Sequence, residues 1–321
     1  MRIGTVALLQ HHAAGILDYA EAGAFARIAS GLGFNTVGIL AEKLLEEGWD
    51  AVSKRKEEMD AMNLNVLVNA RKEALFDPEK PELIGGIFEV AKHFSSDILQ
   101  TKINGAFERY EEPWSGKKTR ERIRYMKELG KRVSEYGSRY KVRIAVENHI
   151  DYRMEELQEI YESVNSPYFG ILFDTANQLF YGEDPVLFAK NLGKWVFSTH
   201  IKDAFGIEHE DGIQVKWCKP GTGAVDLRAI GRELSRYNRD LPLVIEFFIG
   251  DDSPVIPLKH DSYWKSLGLK KDMDRTGFRL LLEAAPRRGP YHPIEGDEGL
   301  RFEIEVCKEL VQELPAMFQP D

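Results

Sequence analysis

The chain has 321 residues, of which 43 are lysine or arginine and 52 are acidic, so its formal net charge at pH 7 is −9. Because no basic cluster stands free of interleaved acids, the sequence predicts no nucleic-acid partner, and no uncharged run approaches the roughly 18 residues of a membrane-spanning helix. The length suits either one large α/β barrel or two ordinary domains.

In the first half of the chain, short apolar runs typical of buried strands alternate with segments of helical periodicity. The strand-like runs cover residues 3–9, 35–40, 64–68 and 98–103, and the helical segments cover 21–32, 42–62, 81–94 and 118–140. The last of these repeats apolar residues on one helical face, at Ile123, Met126, Leu129 and Val133. Four strand-helix units are therefore predicted before residue 142.

The second half repeats the design, and here each strand-like run ends in a side chain that can bind a metal. The runs cover 142–146, 169–173, 195–199 and 243–245, and they are followed by Glu147, Asp174, His200 and Glu246. The helical segments cover 154–164, 185–192, 227–237 and 300–314. Eight strands, each with a helix, favour a (β/α)8 TIM barrel over an open sheet. No low-complexity linker divides the chain, which predicts a single domain over residues 1–321.

Two insertions interrupt the pattern. Residues 207–218 predict a hairpin around Asp211-Gly212 after the seventh strand. The longer insertion, residues 251–296, follows the eighth strand and contains the apolar residues Tyr263, Trp264 and Leu267. Loops of this length commonly serve as a lid or a partner contact, and the alternative is a short helix packed on the barrel rim.

The four strand-end residues predict a divalent-metal site, because TIM barrels carry their active sites at the carboxyl ends of the strands. Two glutamates, one aspartate and one histidine suit Mn²⁺ or Mg²⁺ and also Co²⁺ or Fe²⁺, whereas a structural zinc site usually includes sulfur. A cation held there can bind two vicinal substrate oxygens, polarise a ketone and stabilise an enediolate. Singly, each residue has a structural explanation as a paired carboxylate, a helix cap or a core histidine; all four together favour the metal site.

Five motifs resemble those of the xylose isomerase-like TIM-barrel superfamily, namely V-E-N-H at 146–149, F-D-T-A-N at 173–177, T-H-I-K-D at 199–203, P-G-T-G-A-V-D at 220–226 and V-I-E-F at 244–247. That superfamily includes sugar isomerases and epimerases, inosose dehydratase, dehydroshikimate dehydratase and the large subunit of bacterial C-glycoside deglycosidases. The resemblance implies that Glu147, Asp174, His200 and Glu246 bind the metal. It also implies a small keto-sugar or polyol as the substrate.

His149 is the candidate base. It lies two residues beyond Glu147, so it faces the same side if the strand persists, and a neutral imidazole beside a ketone can accept a proton. The alternative is a histidine that orients Glu147. Asn177 stands where many ketose epimerases of the superfamily carry histidine, and it can bind a substrate hydroxyl but cannot titrate.

Further candidates lie at the same end of the predicted barrel. Lys202, two residues beyond His200, is a candidate for binding a substrate oxygen, and the alternative is a solvated lysine. Asp203 is a candidate for capping the next turn or orienting His200. One of His11 and His12 is expected to contact substrate, since adjacent strand residues cannot both face inward.

The leading hypothesis is a metal-dependent lyase that removes the proton next to a ketone of a sugar-like substrate and then performs β-elimination, with His149, Glu246 and Glu147 as catalytic residues. Dehydration and C-glycoside deglycosylation of a 3-keto glycoside both fit, and the long insertion at 251–296 together with the position of His149 favours the second by analogy. One alternative is a keto-sugar isomerase or 3-epimerase in which Glu246 or Glu147 moves the proton. Another is a non-catalytic, metal-stabilised subunit that binds carbohydrate or assists assembly. A homo-oligomer and a small second subunit both remain open.

The cysteine content and the start of the chain indicate the cellular compartment. Cys218 and Cys307 are far apart and form no C-x-x-C pair, so the sequence indicates neither a disulfide framework nor a thiolate metal site. Met1 is followed directly by a strand pattern, without a targeting leader. These features predict a cytoplasmic protein.

Overall fold

The computed structural model describes residues 1–5, 22–103, 109, 115–246, 254–284 and 296–319. Eight parallel strands form its centre: β1 (Ile3–Thr5), β2 (Thr36–Leu40), β3 (Asn65–Asn69), β4 (Ile98–Thr101), β5 (Arg143–Glu147), β6 (Phe169–Asp174), β7 (Val196–Ile201) and, after a hairpin of β8 (Asp203–His209) and β9 (Gly212–Cys218), β10 (Leu243–Ile245). They close in the order β1-β10-β7-β6-β5-β4-β3-β2, with Ile3 opposite Leu243 at the closure. The predicted (β/α)8 barrel is confirmed.

Helices surround the barrel: α1 (Ala22–Gly31), α2 (Ala41–Glu47), α3 (Trp49–Ala61), α4 (Lys72–Leu75), α5 (Pro81–His93), α6 (Gly116–Tyr140), α7 (Met154–Val164), α8 (Pro185–Leu192), α9 (Leu227–Ser235), α10 (Asp261–Leu267), α11 (Thr276–Ala284) and α12 (Gly296–Met317). Short 3-10 helices cover Asn177–Tyr181 and Gly193–Trp195. The single helix expected over 42–62 is two helices, because Gly48 adopts φ +95° between them. Within the described ranges, no helix has the length and apolar composition needed to cross a membrane.

A buried layer inside the barrel fixes the direction of the strand-end side chains. Ala145, Leu172 and Val244 pack together with Leu67, Ile98 and Phe197 in a cluster separate from the outer core. Each of the first three lies two residues before Glu147, Asp174 or Glu246. Because side chains two apart in a strand share a face, the strand-end residues extend the same inward-facing rows.

The hairpin after β7 is confirmed and starts earlier than expected. Its arms run from Asp203 to Cys218, and β11 (Val255–Ile256) joins β9 to complete a three-stranded antiparallel sheet. Gly212 has φ +156°, and a Cβ there would lie 2.1 Å from the carbonyl oxygen of Ile256. A glycine is required at this point because the two insertions approach each other so closely.

The described part of the longer insertion packs on the 3-10 helix Asn177–Tyr181. The Tyr263 hydroxyl donates to the Phe180 carbonyl at 2.7 Å, and Arg275 Nε donates to the Tyr181 carbonyl at 2.9 Å. Trp264 and Leu267 are buried. These contacts correspond to the rim-packed alternative. Residues 247–253 and 285–295 lie outside the described ranges, so the lid or partner-contact interpretation of 251–296 stays a prediction, as does the single domain.

Arg109 ties the insertion to two other loops. Its fully buried guanidinium makes two hydrogen bonds to the Glu156 carboxylate, at 2.6 and 3.0 Å. It also donates to the carbonyl oxygens of Asp151 at 3.0 Å and Ser266 at 2.8 Å. Bidentate pairs of this kind are geometrically specific, so segments after β4, after β5 and after β10 share one anchor.

The close approach of α6 to β6 and α7 yields a stability prediction. A Cβ at Gly130 would lie 2.7 Å from Val164 Cγ2 and 2.8 Å from Phe169 Cε1. We expect Gly130→Ala to lower the free energy of unfolding by about 1–3 kcal/mol, because overpacking displaces neighbouring groups. Gly31→Ala is the control, since nothing lies within 4 Å of a Cβ there. Urea unfolding measures both variants, and unchanged stability of Gly130→Ala would contradict the packing.

Candidate metal centre

Four side chains converge at the carboxyl ends of four barrel strands. Glu147 and Asp174 end β5 and β6, His200 is the penultimate residue of β7, and Glu246 directly follows β10. One potential ligand atom from each lies within 4.8 Å of the others. In the part of the chain that the structure describes, no other group of three or more His, Cys, Asp or Glu side chains converges in this way.

Strand register explains the convergence. Asp174 lies directly opposite His200 in the β6–β7 pair, and Glu147 lies opposite Leu172, two residues before Asp174. On the other side, His200 lies opposite Val244, two residues before Glu246. Parallel pairing and the two-residue period of a strand therefore bring all four side chains to one end of the barrel.

The donor atoms fit a divalent cation. Asp174 is fully buried, and Glu147 and His200 are each 7% exposed. Asp174 Oδ2, His200 Nδ1 and Glu246 Oε2 are buried and contact charged groups of the cluster itself, and His200 Nε2 is buried without a hydrogen-bond partner among the described residues. Since buried polar atoms are normally hydrogen-bonded, these converging atoms are suited to a bound ion. Three carboxylates and one imidazole suit Mn²⁺, Mg²⁺ or Co²⁺.

Charge coupling inside the cluster is strong. His200 Nδ1 lies 2.6 Å from Glu246 Oε2 and 3.8 Å from Glu147 Oε1. Burial alone lowers the pKa of His200, but the charges of Glu246 and Glu147 raise it to about 10. Burial raises the pKa of both glutamates, and neighbouring cationic groups nevertheless hold it below the ordinary value. For Asp174 burial prevails, and its pKa lies above the ordinary value although Lys202 opposes the shift.

Lys202 lies within the cluster. Its Nζ is 2.8 Å from Asp174 Oδ2 and 3.5 Å from Glu246 Oε1. Burial lowers the pKa of Lys202, but the charges of Asp174 and Glu246 raise it above the ordinary value, so the amine is protonated. The centre of the Trp217 ring lies 5.1 Å from Nζ, so the hairpin covers the ammonium with an aromatic face. Binding of a substrate oxygen by Lys202 stays a prediction.

His149 and Asn177 both lie beside Glu147. β5 ends at Glu147 and Ile150 has φ +56°, so the strand does not continue to His149. Its Nε2 nevertheless lies 3.9 Å from Glu147 Oε1, and Asn177 Nδ2 donates to the same oxygen at 3.5 Å. Their catalytic and substrate-binding roles stay predictions.

The two histidines predicted at the rim, His11 and His12, lie outside the described residues. Sequence reasoning missed two residues that shape the centre, Asn148 and Trp217. Asn148 Oδ1 accepts from the backbone N–H of Asp174 at 2.7 Å, and its Nδ2 donates to the Asp174 carbonyl at 3.1 Å. The V-E-N-H motif contains Asn148, but no local pattern indicates that the Asn148 side chain binds the backbone of the next strand.

Asp203 caps the turn that follows the hairpin. Its carboxylate accepts hydrogen bonds from backbone N–H groups of Gly221, Thr222, Gly223 and Val225 at 2.6–3.0 Å. The P-G-T-G-A-V-D motif therefore wraps around one buried carboxylate, so Asp203 caps a turn beyond the hairpin and not the next turn in the chain, and its alternative role of orienting His200 stays a prediction.

Sequence comparisons identify the family. A family model described as "Xylose isomerase-like TIM barrel" matches residues 26–274. A curated relative, the uncharacterized protein YihM of Escherichia coli K12, is 26% identical over 132 residues, which cover 36% of this chain and 40% of YihM. The alignment thus spans less than half of that relative.

Solved structures share the fold. A D-psicose 3-epimerase with D-tagatose from Clostridium cellulolyticum H10 has a TM-score of 0.63 at 11% identity, covering 99% of this chain and 100% of that one. The IolI protein with a zinc atom has a TM-score of 0.58 at 16% sequence identity, covering 89% of this chain and 96% of that one. A probable 3-DHS dehydratase, AsbF from Bacillus anthracis, has a TM-score of 0.57 at 14% sequence identity, covering 81% of this chain and 97% of that one. At such identities the likeness shows the fold alone. Because the family model covers most of the chain, the protein belongs to the xylose isomerase-like TIM barrel family.

Proposed function

We propose that this protein is a divalent-metal-dependent enzyme that removes the proton next to the ketone of a sugar-like substrate. The observation that carries the proposal is the convergence of Glu147, Asp174, His200 and Glu246, with His149 at its edge, where TIM barrels hold their active sites. Structural relatives named as epimerases and a dehydratase support a sugar-modifying enzyme in general terms.

Mn²⁺ is the proposed ion, with Mg²⁺ and Co²⁺ as alternatives, and the same four residues are its ligands. When bound, the cation polarises the ketone and stabilises negative charge on its oxygen. Around it, Lys202 and Asn177 are proposed to bind substrate oxygens, because each already contacts a ligand carboxylate at the centre.

His149 is the proposed base. Its side chain is 15% exposed, and its Nε2 lies 3.9 Å from Glu147 Oε1. The Glu147 carboxylate is thus close enough to stabilise the positive charge that forms when the histidine accepts a proton. His149 therefore combines partial exposure with a nearby negative charge.

β-Elimination after proton removal makes the enzyme a lyase, and the contacts of Glu246 favour this outcome. An epimerase returns a proton to the opposite face, for which Glu246 is the candidate. Glu246 Oε2 lies 2.6 Å from His200 Nδ1, and Oε1 lies 3.5 Å from Lys202 Nζ. Both carboxylate oxygens are therefore engaged within the cluster, which leaves Glu246 poorly placed to return a proton to the substrate. A keto-sugar isomerase or 3-epimerase is the second candidate, supported by an epimerase neighbour that aligns over 99% of this chain.

Within the lyases we favour deglycosylation of a 3-keto C-glycoside, with dehydration as the simpler variant. The longer insertion provides a surface beside the candidate centre, which suits a small second subunit or a second copy of the chain. A reducing cytoplasm suits the protein, since Cys218 and Cys307 are buried and form no disulfide.

The proposed function is tested by incubating the protein and Mn²⁺ in D₂O with candidate keto sugars and 3-keto glycosides. Mass spectrometry then identifies the products. Loss of water or aglycone supports the lyase. An unchanged skeleton with deuterium at the carbon beside the ketone supports the isomerase or epimerase. Absence of turnover and of deuterium exchange with every ketone, together with a metal that only stabilises the fold, would favour the non-catalytic subunit.

The first functional prediction concerns the ligands. We expect Glu147→Gln, Asp174→Asn, His200→Ala and Glu246→Gln each to weaken Mn²⁺ binding by more than the roughly 10- to 100-fold seen when a residue behind a ligand is lost. Metal content after gel filtration and turnover measure the effect. Glu159→Gln, in an exposed ion pair with Lys127, is the control. Full metal content and activity in any two ligand variants would exclude the site.

A pH prediction follows from His200. Its pKa of about 10 means that an incoming ion displaces a proton at neutral pH. We expect about one proton released per Mn²⁺ and an affinity that falls about tenfold per unit decrease in pH. Calorimetry in two buffers with different ionisation enthalpies measures the proton count, and a count near zero would contradict the assignment.

The raised pKa of His200 gives the stability of the metal-free fold the opposite pH dependence to that of metal affinity. A raised pKa stabilises the protonated state, so this contribution is complete below the ordinary value of 6.5 and is lost as pH rises through about 10. Metal-free protein should therefore lose stability over that window while Mn²⁺ binding tightens.

The last functional prediction concerns His149. His149→Ala should retain the metal and the fold but lose roughly 10²- to 10⁴-fold in kcat, the usual contribution of positioned proton transfer. The limb that the base contributes to the pH profile of kcat/KM should vanish. His260→Ala, which removes an exposed histidine paired with Asp211, is the control. Recovery of most activity at saturating Mn²⁺ would instead assign His149 to orienting Glu147.

A further inference from the structure

We propose that Lys202 is a built-in counter-ion that takes the place of the cation against Asp174 in the metal-free protein and thereby sets the metal affinity of the centre. This inference rests on the proposed metal site but not on the reaction proposed for it.

The ammonium contacts the oxygen that a metal would use. Asp174 Oδ1 accepts a hydrogen bond from the backbone N–H of Ala176 at 3.0 Å, which leaves Oδ2 directed toward the cluster. Lys202 Nζ lies 2.8 Å from this Oδ2, and the two side chains are 8% and 0% exposed. A metal bound to Asp174 therefore has to share or displace this contact.

The charge of the cluster explains why a lysine stands there. Glu147, Asp174 and Glu246 place three carboxylates within 4.8 Å of one another and of His200. Like charges at this separation repel strongly away from bulk water. In the loaded centre, where His200 binds as a neutral imidazole, one lysine leaves the side chains with a formal charge of −2, which a divalent ion cancels. The lysine therefore reduces repulsion in the metal-free protein and matches the charge of the loaded centre to neutrality.

Lys202 is held at its backbone and at its ammonium group. Its backbone N–H donates to Thr175 Oγ1 at 3.0 Å, and the Thr175 hydroxyl donates back to the Lys202 carbonyl at 2.6 Å. The Trp217 ring lies over the ammonium at 5.1 Å. Thr175 and Trp217 together fix Lys202 beside Asp174. The position of the lysine is therefore determined by the fold, unlike that of a flexible lysine on the surface.

Competition between an ammonium and a metal for one carboxylate predicts opposite effects of removing the lysine. We expect Lys202→Met to bind Mn²⁺ at least about tenfold more tightly, because a neighbouring positive charge is lost. The melting temperature of the metal-free variant should fall by roughly 5 °C or more, since three carboxylates lose a buried partner. The rise in melting temperature on adding Mn²⁺ should therefore exceed that of the wild type.

Mn²⁺ affinity by competition with a chelating dye, and melting temperature with and without Mn²⁺, test the proposal. Lys127→Met is the matched control, because its lysine pairs with Glu159 on the surface. That variant should leave both quantities close to wild type. If Lys202→Met folds only with metal, dye competition is performed on the loaded protein, and failure to fold without Mn²⁺ supports the counter-ion.

A double variant separates this proposal from a general packing role. In an Asp174→Asn background, Lys202→Met should lower the metal-free melting temperature less than it does alone, because the main partner is already gone. Two outcomes would overturn the counter-ion proposal while leaving the metal centre intact. One is that the losses in melting temperature from the two substitutions are additive, and the other is that Lys202→Met binds Mn²⁺ no more tightly than the wild type. A wild type that binds no Mn²⁺ would overturn both.

Discussion

Mutual repulsion among three buried carboxylates is the constraint on which the rest of this structure depends. Glu147, Asp174 and Glu246 are brought together by strand register, not by any attraction between them. Each is carried by a strand whose preceding residues pack in the barrel interior, so the stability of the barrel offsets the cost of the assembly. His200 and Lys202 then supply the positive charge that makes the arrangement tolerable without a metal.

Support for the centre comes from several distant segments. Asn148 fixes the backbone of Asp174, and the 3-10 helix that begins at Asn177 is held from behind by Tyr263 and Arg275. Arg109 connects the same insertion to the loops after β4 and β5. Residues far apart in sequence thus restrain the side chains around the four candidate ligands, which is what a preorganised site requires.

The sequence predicts most of the barrel and the strand-end positions of the four candidate ligands, because both depend on local patterns. Strand alternation and strand ends place Glu147 and His200 without knowledge of any long-range contact. The break at Gly48 was missed because the amphipathic pattern runs through it, although its φ of +95° stops the helix. Asn148 and Trp217 were missed because their roles depend on the neighbouring strand and on a hairpin folding back, which no local periodicity records.

The small antiparallel sheet has a consequence for protein engineering. It joins the hairpin after β7 to the insertion after β10 through β11, and Gly212 allows the two backbones to approach where any side chain would collide with Ile256. Trp217, on the same hairpin, reaches Lys202. A chimera that exchanges either insertion alone would leave an unpaired edge beside the ligand cluster. The two loops therefore form one transplantable module, to be exchanged together between related barrels.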